Sequence, residues 1–304
     1  MKHVSRAKIW ENEMPDSIEN ATPLARGATA DVYAWGDGRV LKLFHDRIPM
    51  HALEVSATRI AHEAGLPVPA VLSDLIEVDQ REGIVFERIE GPTLLEQLQD
   101  LPRSGSTATI RDYARQAAEL HARIHSTEAS DLPSLVEILD WSIQEAAPLD
   151  TGTRQAVLDL LHGLPDGNSL CHNDYYPRNL VLSGTGMVAI DWAIGSRGNR
   201  LADCARTLLI SRMWLGGMKG QAPNNVYRLW EQFWEIYFRR YAELRPYTPQ
   251  DIWPWQAVTA AASLCWEGSR MATEPRVSLV QAVLEGSGHP WLVRQEHMAA
   301  ISAA

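Results

Sequence analysis

Apolar positions in roughly the first 90 residues recur with strand periodicity on either side of one helical stretch. Between Ala30 and Phe44, Val32 and Tyr33 precede the turn Gly36-Asp37-Gly38, and Val40, Leu41 and Leu43 follow it, which predicts a hairpin. Leu53, Ala57, Ile60, Ala61 and Ala64 then recur at helical spacing until Gly65 stops the pattern, and Pro67 and Pro69 hold the chain extended. Val71–Ile76 and Gly83–Ile89 read as further strands. A strand–strand–helix–strand–strand unit thus fills residues 1–88.

Past Gly91-Pro92 the period becomes helical. Ile110, Tyr113, Ala114, Ala117, Leu120, His121 and Ile124 trace one apolar face, and Val157, Leu158, Leu160 and Leu161 suggest a second helix. Within this helical part, Asn179–Leu182 and Met187–Ile190 flank Ser183-Gly184-Thr185-Gly186, a loop suited to a hairpin. From about Ala202 onward the chain is helical and aromatic, carrying Trp214, Trp230, Trp234, Trp253, Trp255, Trp266 and Trp291.

At 304 residues the chain exceeds what one compact core usually fills, so two lobes are expected. The first ten residues are basic without a following apolar run, and no stretch reaches the roughly 18 apolar residues of a membrane span. A soluble, cytoplasmic protein with no membrane partner is therefore expected. Cys171, Cys204 and Cys265 are odd in number and form no Cys-x-x-Cys pair, and all three read as small buried hydrophobes. A net charge of −10 argues against a nucleic-acid partner. Most of the acid excess falls in residues 86–200 (net −7), whereas residues 201–304 are near neutral at +1.

The segment richest in chemistry is Cys171-His172-Asn173-Asp174-Tyr175-Tyr176-Pro177-Arg178-Asn179, followed by Ile190-Asp191-Trp192. An acid and an amide five residues apart on a loop, then a hairpin, then a second acid is an arrangement phosphoryl transfer can use. The hairpin brings Asn179 and Asp191 together, and their oxygens suit Mg²⁺, which keeps other positions for water and nucleotide. Asp174 then faces an acceptor hydroxyl, accepts its proton and orients it for in-line attack.

These residues resemble the catalytic and metal loops of the protein-kinase-like superfamily, specifically its aminoglycoside phosphotransferase family, where the loop usually reads His-Gly-Asp-x-x-Pro-Gly-Asn with a later Ile-Asp-Trp. His172, Asp174, Asn179, Ile190, Asp191 and Trp192 match in order and spacing, while Asn173 and Arg178 stand where Gly is common. The resemblance implies an α+β, two-lobed kinase-like fold, with a small β-rich nucleotide-binding lobe over residues 1–88 and a larger, mostly helical lobe over 89–304. It also implies ATP or GTP as phosphate donor, Mg²⁺ as cofactor and a small hydroxylated molecule as acceptor.

Other segments take roles through the same resemblance. Arg26-Gly27-Ala28-Thr29-Ala30 looks like the nucleotide-covering loop, with Gly27 beside the phosphates. Taken alone, Lys42 reads as an outward-facing strand residue; with the downstream loop it resembles the phosphate-binding lysine, and Glu54 its ion-pair partner. Phe86, Glu87 and Ile89 resemble the hinge, where adenine would bond to backbone groups of Glu87 and Ile89 beside Phe86. His121 and His125, neighbours on a helix face, read as packing residues, and Asp203 resembles a family acid that braces the catalytic region. Acceptor identity stays open: the acid excess suits an aminoglycoside, the Trp-rich end suits an apolar macrolide, and choline, homoserine or a sugar amine also fit. A catalytically silent kinase-fold binder would be expected to lack one of Lys42, Asp174, Asn179 and Asp191, all of which are present.

Overall fold

The protein is described by a computed structural model covering residues 18, 22–48, 50–104, 107–266 and 272–293. Strands β1 (Ala25–Arg26), β2 (Ala30–Ala34), β3 (Arg39–Phe44), β4 (Ile76–Val78) and β5 (Arg81–Glu87) form one sheet in the order β1-β2-β3-β5-β4, with α1 (His51–Glu63) between β3 and β4 in the chain. Each neighbouring pair is antiparallel. The predicted β2–β3 turn is present, with Gly36 and Gly38 at φ 74° and 67°, where a side chain would be strained. Alternation sends Leu41, Leu43 and Val85 to one face with Tyr33 and Trp35. Phe44, Ile84 and Phe86 go to the other, where they pack with Val55 of α1.

Two of the expected strands shift. Val71–Ile76 is not a strand: Val71 makes an isolated bridge to Phe86, and pairing proper begins only at Ile76. Asp79 and Gln80, both at positive φ, close the β4–β5 hairpin, so the turn rather than the apolar run sets where β4 lies. Ile89 falls beyond β5, which ends at Glu87.

The helical lobe contains α2 (Leu94–Ser104), α3 (Thr107–Ile124), α4 (Leu135–Gln144), α5 (Thr151–His162), α6 (Arg200–Met218), α7 (Asn224–Leu244), α8 (Pro249–Trp266) and α9 (Thr273–Leu284). Two small antiparallel pairs are inserted between α5 and α6. One joins β6 (Ser169–Cys171) to β9 (Ser196–Gly198), and the other is the predicted hairpin of β7 (Leu180–Ser183) and β8 (Gly186–Ala189). Helix α8 is buried in an unbroken run from Trp255 to Leu264, so it has no water-facing side there and serves as the spine against which α4, α5, α6 and α9 pack. Trp230, Trp234 and Trp255 are core residues, and the side chain of Trp266 lies outside the described part. Cys171 and Cys204 are buried as expected, but Cys265 is only half-buried near the end of α8. Among the described residues no helix is long and apolar enough to cross a membrane.

The passage between lobes is tightly set. Gly91 has φ 144°, and a Cβ on it would lie 2.1 Å from the Leu182 carbonyl oxygen, so only glycine lets the chain come this close to β7. The Leu182 N–H then donates to Pro92 O at 2.9 Å, and the Ala189 N–H to Pro67 O at 2.9 Å. The β7–β8 hairpin is thereby stapled on both sides to segments adjoining the sheet.

Candidate active site

Lys42 lies on the α1-facing side of β3, sharing that face with Val40 and Phe44, so it points into the molecule. Its ammonium donates to both oxygens of Glu54 at 2.8 Å and to Asp191 Oδ1 at 2.7 Å. Glu54 is only 2% exposed on α1, and the Thr58 hydroxyl one turn later bonds its carbonyl oxygen. Burial works against the lysine's charge, yet the two carboxylates hold its pKa above the ordinary lysine value. Partial burial likewise works to raise Asp191, but Lys42 holds this carboxyl below its ordinary value. One cation thus joins the sheet, the helix and the loop after β8.

The second half of the site is built by the loop after β6. Asn179 closes a short 3-10 helix, Pro177–Asn179, started by proline at its first position. Its amide nitrogen donates to the Asp174 backbone oxygen and to Asp174 Oδ2, both at 2.9 Å, leaving the amide oxygen for another partner. The Ile190 N–H donates to Asn179 O at 2.9 Å, which sets Asp191, the next residue, beside Asn179. An amide oxygen and a carboxylate so placed are hard oxygen donors and fit Mg²⁺. The predicted trio of Asp174, Asn179 and Asp191 is therefore gathered in one place, with Lys42 and Glu54 attached to it.

Two site residues hold unusual backbone. Asn173 and Asp191 have φ of 63° and 65°, in the left-handed region that few non-glycine residues adopt. Asn173 replaces the glycine common at its position, and asparagine is among the side chains that tolerate this conformation. It adds something glycine lacks, donating from its amide to Ile194 O at 2.7 Å and to Ser196 Oγ at 2.8 Å. The loop around Asp174 is thus tied to the segment after Asp191. His172 makes a second tie: its Nδ1 accepts the Asp174 N–H at 3.3 Å, so the proton is on Nε2, which faces Ile190 O at 3.1 Å. Burial holds the His172 ring below its ordinary pKa, consistent with this neutral form.

Beneath the loop sits a fully buried carboxylate. Asp203 of α6 accepts the His172 N–H at 2.6 Å, the Asn173 N–H at 3.0 Å, and Nε2 of His121 and His125 at 3.3 and 3.2 Å. Burial would raise its pKa, but these donors hold it well below the ordinary carboxylate value. Nδ1 of His121 faces the Tyr237 hydroxyl at 2.5 Å, and Nδ1 of His125 faces the Tyr241 hydroxyl at 2.6 Å. The tyrosines of α7 and the histidines of α3 share an i, i+4 spacing, so two matched tyrosine–histidine chains meet on one aspartate. The bracing expectation for Asp203 and the packing expectation for both histidines agree with this geometry. The tyrosine partners were not anticipated, although their matching spacing was a readable signal.

The remaining candidates lie in the turn before β2 and at the end of β5. Gly27 occupies the turn before β2, where its N–H donates to Ala30 O at 2.8 Å. A Cβ there would sit 2.7 Å from that same oxygen, so the turn requires glycine. Phe86 is packed among Ala30, Phe44, Val55 and Ile84 at 6% exposure, which makes it a wall more than a stacking surface. The Glu87 N–H donates to Ala70 O at 2.9 Å, so this residue would offer an adenine its carbonyl and not its amide.

A small antiparallel sheet set on a larger helical lobe, with a lysine–glutamate pair at their junction, is the protein-kinase-like fold. The chain belongs to the APH phosphotransferase enzyme family, whose model matches residues 20–247. Solved structures similar to it include aminoglycoside phosphotransferase APH(4)-Ia, at 18% identity over 92% of this chain and 98% of that one with a TM-score of 0.61. The amicoumacin kinase hAmiN, in complex with AMP-PNP, Ca²⁺ and Ami, is similar at 13% identity over 94% and 96% with a TM-score of 0.59. A choline/ethanolamine kinase family protein from Mesorhizobium loti is similar at 19% identity over 87% and 88% with a TM-score of 0.54. At these identities the likeness is one of fold. No curated protein sequence matches the chain.

Proposed function

We propose that this protein is a small-molecule kinase that moves the γ-phosphate of ATP or GTP onto an acceptor hydroxyl, acting in the cytoplasm. The observation that carries the reading is the junction in which Lys42 contacts Glu54 and Asp191 while Asn179 contacts Asp174. Lys42, fixed by Glu54, would hold the α- and β-phosphates, under the turn at Gly27. The hinge from Phe86 to Ile89 would take the base, through the Glu87 carbonyl and the Ile89 backbone. Residues 1–88 would act as the nucleotide lobe and 89–304 as the acceptor lobe.

Asn179 and Asp191 would hold Mg²⁺, which would supply positive charge to offset the negative charge of the transferring group. Asp174 would accept a hydrogen bond from the acceptor hydroxyl and orient its oxygen in line with the γ-phosphorus. As the new O–P bond forms and the bond to the leaving diphosphate breaks, the hydroxyl proton passes to Asp174. Kinases of this fold are described for aminoglycosides, amicoumacin and choline or ethanolamine, which supports a small hydroxylated acceptor. The test is thermal unfolding with ATP or GTP, each with and without Mg²⁺. A nucleotide-dependent rise in midpoint that needs Mg²⁺ is expected, and no rise with either nucleotide would contradict the reading.

A further inference from the structure

A pocket of about 190 Å³ opens between the N-terminus of α1 and helices α4, α6 and α8. Its walls include Asn173, directly before Asp174, and Ile194 and Gly195, three and four residues after Asp191. It therefore adjoins both loops that carry the proposed chemistry. Leu53, Ile138 and Leu139 give it aliphatic walls, and Arg206 of α6, which also lines it, is already engaged.

Asn173 is the wall residue next to Asp174 in the chain, and its side chain is held firmly. Its amide nitrogen has two hydrogens and both are used, one on Ile194 O at 2.7 Å and the other on Ser196 Oγ at 2.8 Å. A carbonyl oxygen only accepts, so the contact with Ile194 O fixes which end of the amide is nitrogen. The amide oxygen then points away from those two partners, and among the described residues no hydrogen bond reaches it. The backbone is fixed as well, since the Asn173 N–H donates to Asp203 Oδ1 at 3.0 Å. Elsewhere on the wall, the hydroxyls of Ser142, Thr259 and Ser263 donate to Ile138 O, Trp255 O and Ala260 O, within their own helices, so they offer a ligand lone pairs and not protons. An oxygen fixed in this way needs little further ordering when a ligand binds, and covering it without a donor costs more than a typical hydrogen bond contributes.

We propose that Asn173 is a specificity-determining residue whose amide oxygen accepts a hydrogen bond from a second O–H or N–H group of the acceptor, a few carbons away from the hydroxyl that Asp174 receives. The inference rests on the kinase reading above and narrows its acceptor to compounds with two donor groups, the hydrocarbon between them lying against the aliphatic wall. Asn173 and Asp174 are successive residues, with Cα atoms about 3.8 Å apart. Their side chains leave the loop in different directions, one toward Ile194 and Ser196 and the other toward Asn179. A short carbon chain spans groups so placed. Glycine, common at this position, adopts the same backbone but has no such oxygen, so the asparagine changes what the site reads.

The experiment measures kcat/KM with Mg²⁺ and nucleotide for propane-1,3-diol, butane-1,4-diol and hexane-1,6-diol and for the monomethyl ether of each. The ether keeps the reacting hydroxyl and the second oxygen but loses the second donor. After halving for its two equivalent hydroxyls, the best diol is expected to exceed its ether about tenfold. This comparison on the unaltered protein needs no variant. Asn173→Gly, which keeps the left-handed backbone, should erase the ratio, whereas Ser196→Ala, which leaves the amide held by Ile194 O, should keep most of it. Equal use of diol and ether, a ratio that survives in Asn173→Gly, a ratio lost equally in both variants, or no transfer to the series while Mg²⁺-dependent nucleotide binding is intact would overturn the inference and leave the kinase reading standing. Absence of nucleotide binding in the unaltered protein would overturn both.

Discussion

Lys42 shows how one residue couples fold to chemistry, because among the described residues its ammonium pairs with the carboxylate of Glu54, which is 2% exposed. Removing the lysine strands that carboxylate in the interior, and breaking a buried ion pair costs roughly 3–5 kcal/mol. Lys42→Ala should therefore lower both nucleotide affinity and stability. Lys42→Ala combined with Glu54→Ala should regain stability without regaining nucleotide affinity, as chemical denaturation and calorimetric titration would show. If the single variant unfolds at the parent's denaturant midpoint, the pair carries no weight. The strand taken alone favoured an outward-facing Lys42, and its pairing with Glu54 was expected only through the family resemblance, while its contact with Asp191, 149 residues away, left no sequence signal. Asp191→Ala should abolish Mg²⁺-dependent turnover, and Asn179→Ala should weaken it less, since only a neutral ligand is lost. Mg²⁺ titration of turnover in the two variants tests this ordering, and equal loss would contradict it.

At the scale of elements, a helix–helix network positions the loop that presents Asp174. His125 of α3 is central to it, with burial and then the neighbouring His121 pushing its pKa down to about 3. Above its ordinary value of about 6.5 the ring is neutral folded or unfolded, so it contributes no pH dependence there. Below that value the unfolded chain takes up a proton that the folded one refuses, and stability falls progressively as pH drops toward about 3. The unfolding temperature should thus decline from pH 7 to pH 5, and His125→Gln should flatten that decline; equal slopes would remove His125 as its cause. Element boundaries were legible where turn chemistry was explicit, as at Gly36 and Gly38. Helix α2 was overlooked although Thr93 and Glu96 form a reciprocal capping box, with the Thr93 N–H on Glu96 Oε2 at 2.7 Å and the Glu96 N–H on Thr93 Oγ1 at 3.2 Å. The β6–β9 pair is too short, at three residues each, to leave a periodic signal.

For the whole molecule, the two-lobed fold was legible because the change from strand to helix periodicity falls at Gly91, where the close approach to β7 requires glycine. The helical lobe was less so, since its core depends on α8 being surrounded by helices from distant parts of the chain. Of its tryptophans, Trp230, Trp234 and Trp255 are core residues, and the pocket beside the catalytic loop is lined mostly by aliphatic side chains. The central claim joins both lobes: one grips the nucleotide while Asp174, from the other, addresses the acceptor. Asp174→Asn separates these tasks, keeping the size of the side chain but not its capacity to take a proton. The measurement is single-turnover phosphoryl transfer to the best acceptor found in a panel of small hydroxylated compounds, beside a nucleotide titration, for parent and variant. Transfer should fall about 10²–10⁴-fold, toward the low end if the hydroxyl loses its proton late, with nucleotide affinity nearly unchanged. Transfer within a few-fold of the parent would show that Asp174 is structural and that another residue faces the acceptor.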